Sequence, residues 1–158
     1  MELDRFDRHL LRLVQEDAAR TTEQLAAQVA LSPSAVQRRL RRLREAGVIV
    51  REIAVVDPRR VGRSTLFLAS IQVESERPEP MARLRDWLAA EPLVQQAFYV
   101  TGEADFVLVV CAPDAEAYDA FMARLVEANP NVRRFETQVA LNVLKRGLAV
   151  PIPDGAPG

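Results

Sequence analysis

The chain has 158 residues, 49% hydrophobic and 27% charged, which suits one large or two small globular domains and excludes a disordered polymer. Its net charge of −1 conceals a split: residues 1–63 carry 13 Arg against 9 acids (+4), whereas residues 64–158 carry 8 Lys or Arg against 13 acids (−5). One Cys (Cys111) and one His (His9) exclude an intrachain disulfide and the roughly four-ligand set of a structural zinc site, and they supply no nucleophile and base pair, so neither metal, cofactor nor catalytic residue is expected.

Asp4 can cap a first helix running to about Gln15, with Phe6, Leu10, Leu13 and Val14 on one side and Arg5, Arg8 and Arg12 elsewhere. Thr21 can cap a second, Thr22 to Val29, whose Leu25, Ala26 and Val29 repeat at helical spacing. Ala30-Leu31-Ser32 leaves only a tight connection to a third helix. There Ser32 is the N-cap, Pro33 suits the first turn because its missing N–H would be unpaired anyway, and Gly47 can take the left-handed closing position. Val36, Leu40 and Leu43 fall on one face of that helix, Ser34, Arg38 and Arg41 opposite, with Gln37 and Arg42 on the flanks. Five Arg lie between Arg38 and Arg44 with no acid before Glu45.

The short second helix and tight connection are helix-turn-helix spacing, in which the following helix enters the DNA major groove. The candidate DNA-contacting residues are Ser32, Ser34, Gln37, Arg38, Arg41 and Arg42. Ser34, Gln37, Arg38 and Arg41 suit base edges; Arg42 and Arg44 suit phosphates; Arg39, near the buried face, reads as a snorkelling or ion-paired residue. The alternative is a merely solvated basic face.

The β-branched stretch Val48 to Val56 then extends like a hairpin until Asp57-Pro58-Arg59-Arg60 breaks it, and Val61-Gly62-Arg63 is the natural boundary. Strands are expected at Thr65–Glu74, Val94–Thr101, Asp105–Cys111 and Val132–Leu144, and helices at Pro80–Ala90 and from Asp114 to the Asn129-Pro130-Asn131 stop. In the last strand Phe135, Thr137, Val139, Leu141 and Val143 form one alternating face that should be buried. The order βαββαβ is the ferredoxin-like arrangement, whose two helices leave one sheet face bare for a partner chain. The fold class is thus α+β: a winged-helix-like helix-turn-helix domain (1–50), a hinge strand and linker (51–63), a βαββαβ domain (64–148) and a tail without a packing pattern (149–158). No apolar run approaches the roughly 20 residues that span a bilayer, and the N-terminus is not a signal peptide, so the expected compartment is the cytoplasm.

In order and spacing, Leu3-Asp-Arg-Phe-Asp-Arg8, Leu31-Ser-Pro-Ser34, Arg38-Arg-Leu-Arg-Arg-Leu43, Ala46-Gly-Val-Ile49, Val100-Thr-Gly102, Asp105-Phe106 and the Thr137 to Lys145 strand resemble the Lrp/AsnC, or feast/famine, transcription regulators over nearly the full length. The resemblance implies a double-stranded-DNA-binding head joined to a domain that dimerises through its sheets, can assemble further to octamers, and binds an amino acid or related metabolite between dimers. The implied effector residues are Val100, Thr101, Gly102, Glu103 and Asp105, with Thr137 and Val139 facing the loop from a neighbouring subunit. Glu103 stands where the family usually has Asp, and Arg51-Glu52 where it usually has Gly and an aromatic. Physically, Gly102 permits close backbone approach, exposed N–H groups suit a carboxylate and Glu103 or Asp105 suits an ammonium; a plain β-turn with solvated acids is the alternative. Two other functions are weighed. RNA-recognition motifs share βαββαβ topology, but Asp105-Phe-Val-Leu-Val-Val110 lacks their third-strand signature. A non-catalytic amino-acid-sensing regulatory subunit could use the same sheet.

Overall fold

The computed structural model describes residues 1–61 and 65–153, which form two compact units: Met1–Val55 together with the chain from Lys145 onward, and Val56–Leu144. Of the expected boundary Val61-Gly62-Arg63, the last two residues lie outside the described part.

In the first unit, α1 (Arg5–Glu16), α2 (Thr22–Val29) and α3 (Pro33–Glu45) start where the sequence puts caps. Asp4 and Asp7 form a reciprocal capping box on α1, Thr21 and Gln24 do so on α2, and the Ser32 hydroxyl accepts from the Ala35 N–H on α3. α3 closes with the Gly47 N–H donating to the Arg44 carbonyl and the Val48 N–H to the Leu43 carbonyl, the double bond that a left-handed residue allows; Gly47 has φ +69°. At the end of α2 the left-handed position is held by Ala30 (φ 55°), a conformation that costs a residue with a Cβ about 1–2 kcal/mol. The core is Leu10, Leu11, Leu13, Leu25, Ala26, Val29, Val36, Leu40 and Leu43, with Leu3, Val14, Leu31, Ile49 and Ile152 packed against it.

After a short α4 (Pro58–Val61), the second unit runs β1 (Thr65–Val73), α5 (Pro78–Ala90), β2 (Val94–Tyr99), β3 (Phe106–Ala112), α6 (Ala115–Ala128) and β4 (Val132–Val139). The sheet order is β2-β3-β1-β4, all antiparallel, as the ferredoxin-like reading requires. Phe67, Ala69 and Ile71 of β1 and Phe106, Leu108, Val110 and Ala112 of β3 meet Met81, Leu84 and Leu88 of α5 and Tyr118, Phe121, Met122 and Leu125 of α6. Directly opposed residues of an antiparallel pair share a face. The register Leu68↔Val109, Ser70↔Val107, Val107↔Phe98 therefore sets Leu66, Leu68, Phe98, Val107, Val109 and Cys111 together on the side away from the helices.

Two expectations about strands are corrected. Val48 to Val56 forms no strand: it pairs with no strand among the described residues, and Val50, Ile53 and Val55 are left exposed. β4 stops at Val139 rather than Leu144, and its supposedly buried face is open: only Val132 is buried, Val139 is 52% exposed and Leu141 97%. The register Ala69↔Thr137 does turn that face toward the helix side, but β4 is an edge strand, and the helices lie over the two central ones.

Candidate DNA-reading helix and effector loop

The buried face of α3 is fixed by Val36, Leu40 and Leu43, which leaves Ser34, Gln37, Arg38 and Arg41 exposed, with no hydrogen-bond or ion-pair partner for Gln37, Arg38 or Arg41 among the described residues. Ser34 shares a 3.1 Å hydroxyl contact with the cap Ser32, so these two belong to the start of the helix as one polar unit. The Arg residues on the flank are used differently. Arg39 donates through Nη1 to Asp4 Oδ2 (2.7 Å) and Asp7 Oδ1 (2.8 Å), and Arg42 donates through Nη2 to Asp7 Oδ2 (2.5 Å). Asp7 is 0% exposed, so one buried carboxylate bridges two α3 guanidiniums and locks α1 to the reading helix. Burial acts to raise the Asp4 pKa, but the Asp7 N–H and the Arg39 guanidinium outweigh it and hold Asp4 below its ordinary 3.8. Arg39 is therefore the ion-paired residue that the sequence suggested. Arg42, expected on phosphate, spends one edge of its guanidinium on Asp7 while remaining half-exposed.

The loop Val100–Asp105 joins β2 to β3. The Val100 N–H donates to the Asp105 carbonyl and the Asp105 N–H to the Ile71 carbonyl, while the Val73 N–H donates to Asp105 Oδ2 at 2.7 Å, so Asp105 fastens the loop to the end of β1, next to the register shift at Gln72/Val73. The Gln72 amide holds the Glu103 carbonyl at 2.7 Å. Between these anchors Thr101, Gly102 and Glu103 are exposed, and the N–H groups of 101 to 104 donate to no group among the described residues. Gly102 sits at φ +117°, where only glycine is unstrained, and a Cβ there would meet nothing within 4 Å. Thr137 is bound to the Tyr118 hydroxyl (2.7 Å), whose pKa burial raises above 10.0 although the Thr137 bond acts the other way.

Comparison with known proteins places both units. The profile described as the AsnC-type helix-turn-helix domain matches residues 3–44, and that of the Lrp/AsnC ligand binding domain matches residues 66–150. The chain belongs to the Lrp/AsnC family. As such it is a helix-turn-helix transcriptional regulator that pairs a DNA-binding head with a ligand-binding domain. It is 41% identical over 152 residues to an uncharacterised HTH-type transcriptional regulator of Sinorhizobium fredii, covering 96% of this chain and 90% of that one. A solved AsnC family regulator from Agrobacterium tumefaciens superposes with TM-score 0.85 at 33% identity, covering 94% and 97% of the two chains. A transcriptional regulator from Neisseria meningitidis, solved with L-Met, superposes equally well (0.85) at 25% identity, covering 95% and 97%.

Within this Lrp/AsnC chain the six α3 candidates gather on one surface of the head, but the loop and the β4 pair do not meet. The loop is tied to Ile71, whereas Thr137 pairs with Ala69 and Val139 with Phe67, two and four residues along β1, or about 7 and about 13 Å at the usual strand rise. Two residues that matter were not singled out in the sequence. Asp7 lies on the Leu10 side of α1, and an acid in an apolar stripe opposite an Arg-rich helix is the signal that would have found it. Tyr118, a core residue of α6, carries the hydroxyl that holds Thr137.

Proposed function

We propose that this regulator acts as a homodimer, able to assemble to octamers, that reads double-stranded DNA with Ser34, Gln37, Arg38 and Arg41 and responds to an amino acid at the loop Val100–Asp105. The observation that carries the reading is the division of labour on α3: the flank arginines are bound to Asp7, and Gln37, Arg38 and Arg41 have no partner among the described residues on the face turned away from the core. Arg matches guanine bidentately and Gln matches adenine. Ser32 and Arg42 border this surface and serve the phosphates. The apolar sheet face of Leu66, Leu68, Phe98, Val107 and Val109 supports association with a second copy, since contiguous apolar surface is covered in stable proteins.

At the loop, the N–H groups of 101 to 104, which have no acceptor among the described residues, suit a carboxylate, and the exposed Glu103 suits an ammonium. Asp105, whose Oδ2 is already taken by Val73, positions the loop instead. Thr137 and Val139 complete the site from a neighbouring subunit, a supply in keeping with their distance along the strand from the loop of their own chain. The L-Met of the Neisseria meningitidis structure supports an amino-acid class of effector. The reading requires no catalysis, and the protein works in the cytoplasm; no helix among the described residues is long and apolar enough to cross a membrane.

The test begins with sequence selection from random duplexes and a thermal-shift screen against the amino acids, in which a native-state ligand raises the melting temperature by mass action. Glu103→Gln should then weaken the hit by the worth of a charge-assisted contact, about 1.5–3 kcal/mol or tenfold and more. Unchanged affinity in Glu103→Gln and in Gly102→Val would return the loop to a plain turn, and selected sites without a dyad would refute the dimeric reader.

A further inference from the structure

The C-terminal segment has no hydrophobic period of its own, yet it belongs to the compact unit of the head. It is recognised residue by residue. Arg8, Arg12 and Gln15 are spaced i, i+4, i+7 and share one face of α1. Gln15 donates through Nε2 to the Val150 carbonyl (3.2 Å) and accepts the Val150 N–H on Oε1 (2.8 Å), the two-way pairing that a strand would offer. Arg12 donates through Nε (3.2 Å) and Nη2 (2.9 Å) to the Ile152 carbonyl, and Arg8 through Nη1 to the Pro153 carbonyl (3.4 Å). The tail thus runs antiparallel to the helix.

Its composition fits that docking. Pro151 and Pro153 have no N–H to leave unpaired against a helix that offers donors at Arg8 and Arg12, and their rings preset an extended backbone, which lowers the entropy lost on ordering. Between them the Ile152 side chain packs against the apolar core of the head. From the same helix, Asp7 reaches Arg39 and Arg42 of α3.

We infer that the outer face of α1 is a docking site for the chain's own segment Val150–Pro153, and that this docking steadies the reading helix through α1 and Asp7. The ligand-binding profile runs to residue 150, whereas the anchors of that segment are all on α1. The docked tail thus ties the end of the ligand-binding domain back to the head by hydrogen bonds to α1 and the packing of Ile152, besides the covalent link that follows Val55.

Hydrogen exchange on the full chain tests the docking without reference to DNA. The Val150 amide should exchange at least about tenfold more slowly than in a free peptide, and Gln15→Ala should return it to the free rate. A free rate in the unaltered protein, or protection indifferent to Gln15→Ala, overturns the inference. In a chain ending at Gly147, protection of α1 should fall and be restored by millimolar peptide spanning residues 148–153, and the same peptide carrying Ile152→Asp should do nothing; equal restoration by both peptides, or by neither, also overturns it. The DNA-linked half rests on the proposed function: full-length Ile152→Asp should bind its selected duplex about three- to tenfold more weakly. Intact affinity with a released tail refutes the steadying role. A protein that binds no duplex at all refutes the proposed DNA reading, while the exchange result stands apart from it.

Discussion

Asp7 is the residue whose loss should be felt most in the head. Its carboxylate is 0% exposed and accepts from Arg39 (2.8 Å) and Arg42 (2.5 Å), while the Asp4 N–H reaches its Oδ2 at 3.2 Å. Asp7→Asn keeps the shape and removes the charge. Two charge-assisted bonds at about 1.5–3 kcal/mol each give an upper figure of about 3–6 kcal/mol. Arg39 and Arg42, 22% and 49% exposed, recover part of that by turning to water, so the expected loss is about 3 kcal/mol, at the low end for breaking a buried pair. At about 0.05–0.15 kcal/mol per residue, a head of this size holds only several kcal/mol in all, so the change should bring it near its midpoint. The only Trp, Trp87, packs in the core of the second unit, so its fluorescence reports that unit alone, whereas helical circular dichroism reports both. In urea, Asp7→Asn should move part of the dichroism transition to lower concentration and leave the Trp87 transition in place. A loss under 1 kcal/mol, or a Trp87 transition shifted as far as the dichroism, would refute the assignment of Asp7 as the lock between α1 and α3.

Arg38→Ala should cost about 1–3 kcal/mol on the selected duplex and relax base preference, whereas Arg42→Ala, which also unpairs Asp7, should lower head stability as well as affinity; fluorescence anisotropy against salt, with a melt of each variant, separates the two. Ala30→Gly should stabilise the head by about 0.5–1 kcal/mol despite the larger entropy of the unfolded chain, because φ 55° suits glycine; a lower melting temperature would refute the strain. Asp4 has a folded pKa below its ordinary 3.8, so its contribution is fully present above that value and is lost as pH falls below it. Acid titration of Asp4→Asn, which keeps a competent cap, should show a shallower loss of head stability below about pH 4; an unchanged slope would remove Asp4 from the acid response.

What could be read from the sequence was local chemistry. Asp4, Thr21, Ser32, Pro33 and Gly47 act through their own neighbours, and each marks a helix end where expected. The alternating apolar runs of β1 and β3 are buried because they are the central strands. Position in the sheet is not written in a strand's own periodicity, which is why β4 could look buried and stand at an edge. Pairing between distant residues was equally hidden: nothing near Arg42 announces that Asp7, 35 positions away, takes one edge of its guanidinium, and Val150 looks unanchored until Gln15 is found beside it. Of the loop, the glycine was legible from its residue type; the use of Asp105 as an anchor for Val73 was not.

The two edges of the sheet are not alike. β4 carries Arg133, Arg134 and Glu136, charges that resist the approach of another strand. β2 at the opposite edge reads Val-Gln-Gln-Ala-Phe-Tyr, six residues with neither charge nor proline, the composition from which cross-β stacking grows. A second copy laid over the bare face would cover Phe98 and shield that hexamer, so self-association would serve solubility as well as recognition. Dilution or a change that splits the pair would expose one guarded edge and one unguarded, and aggregation would start from β2.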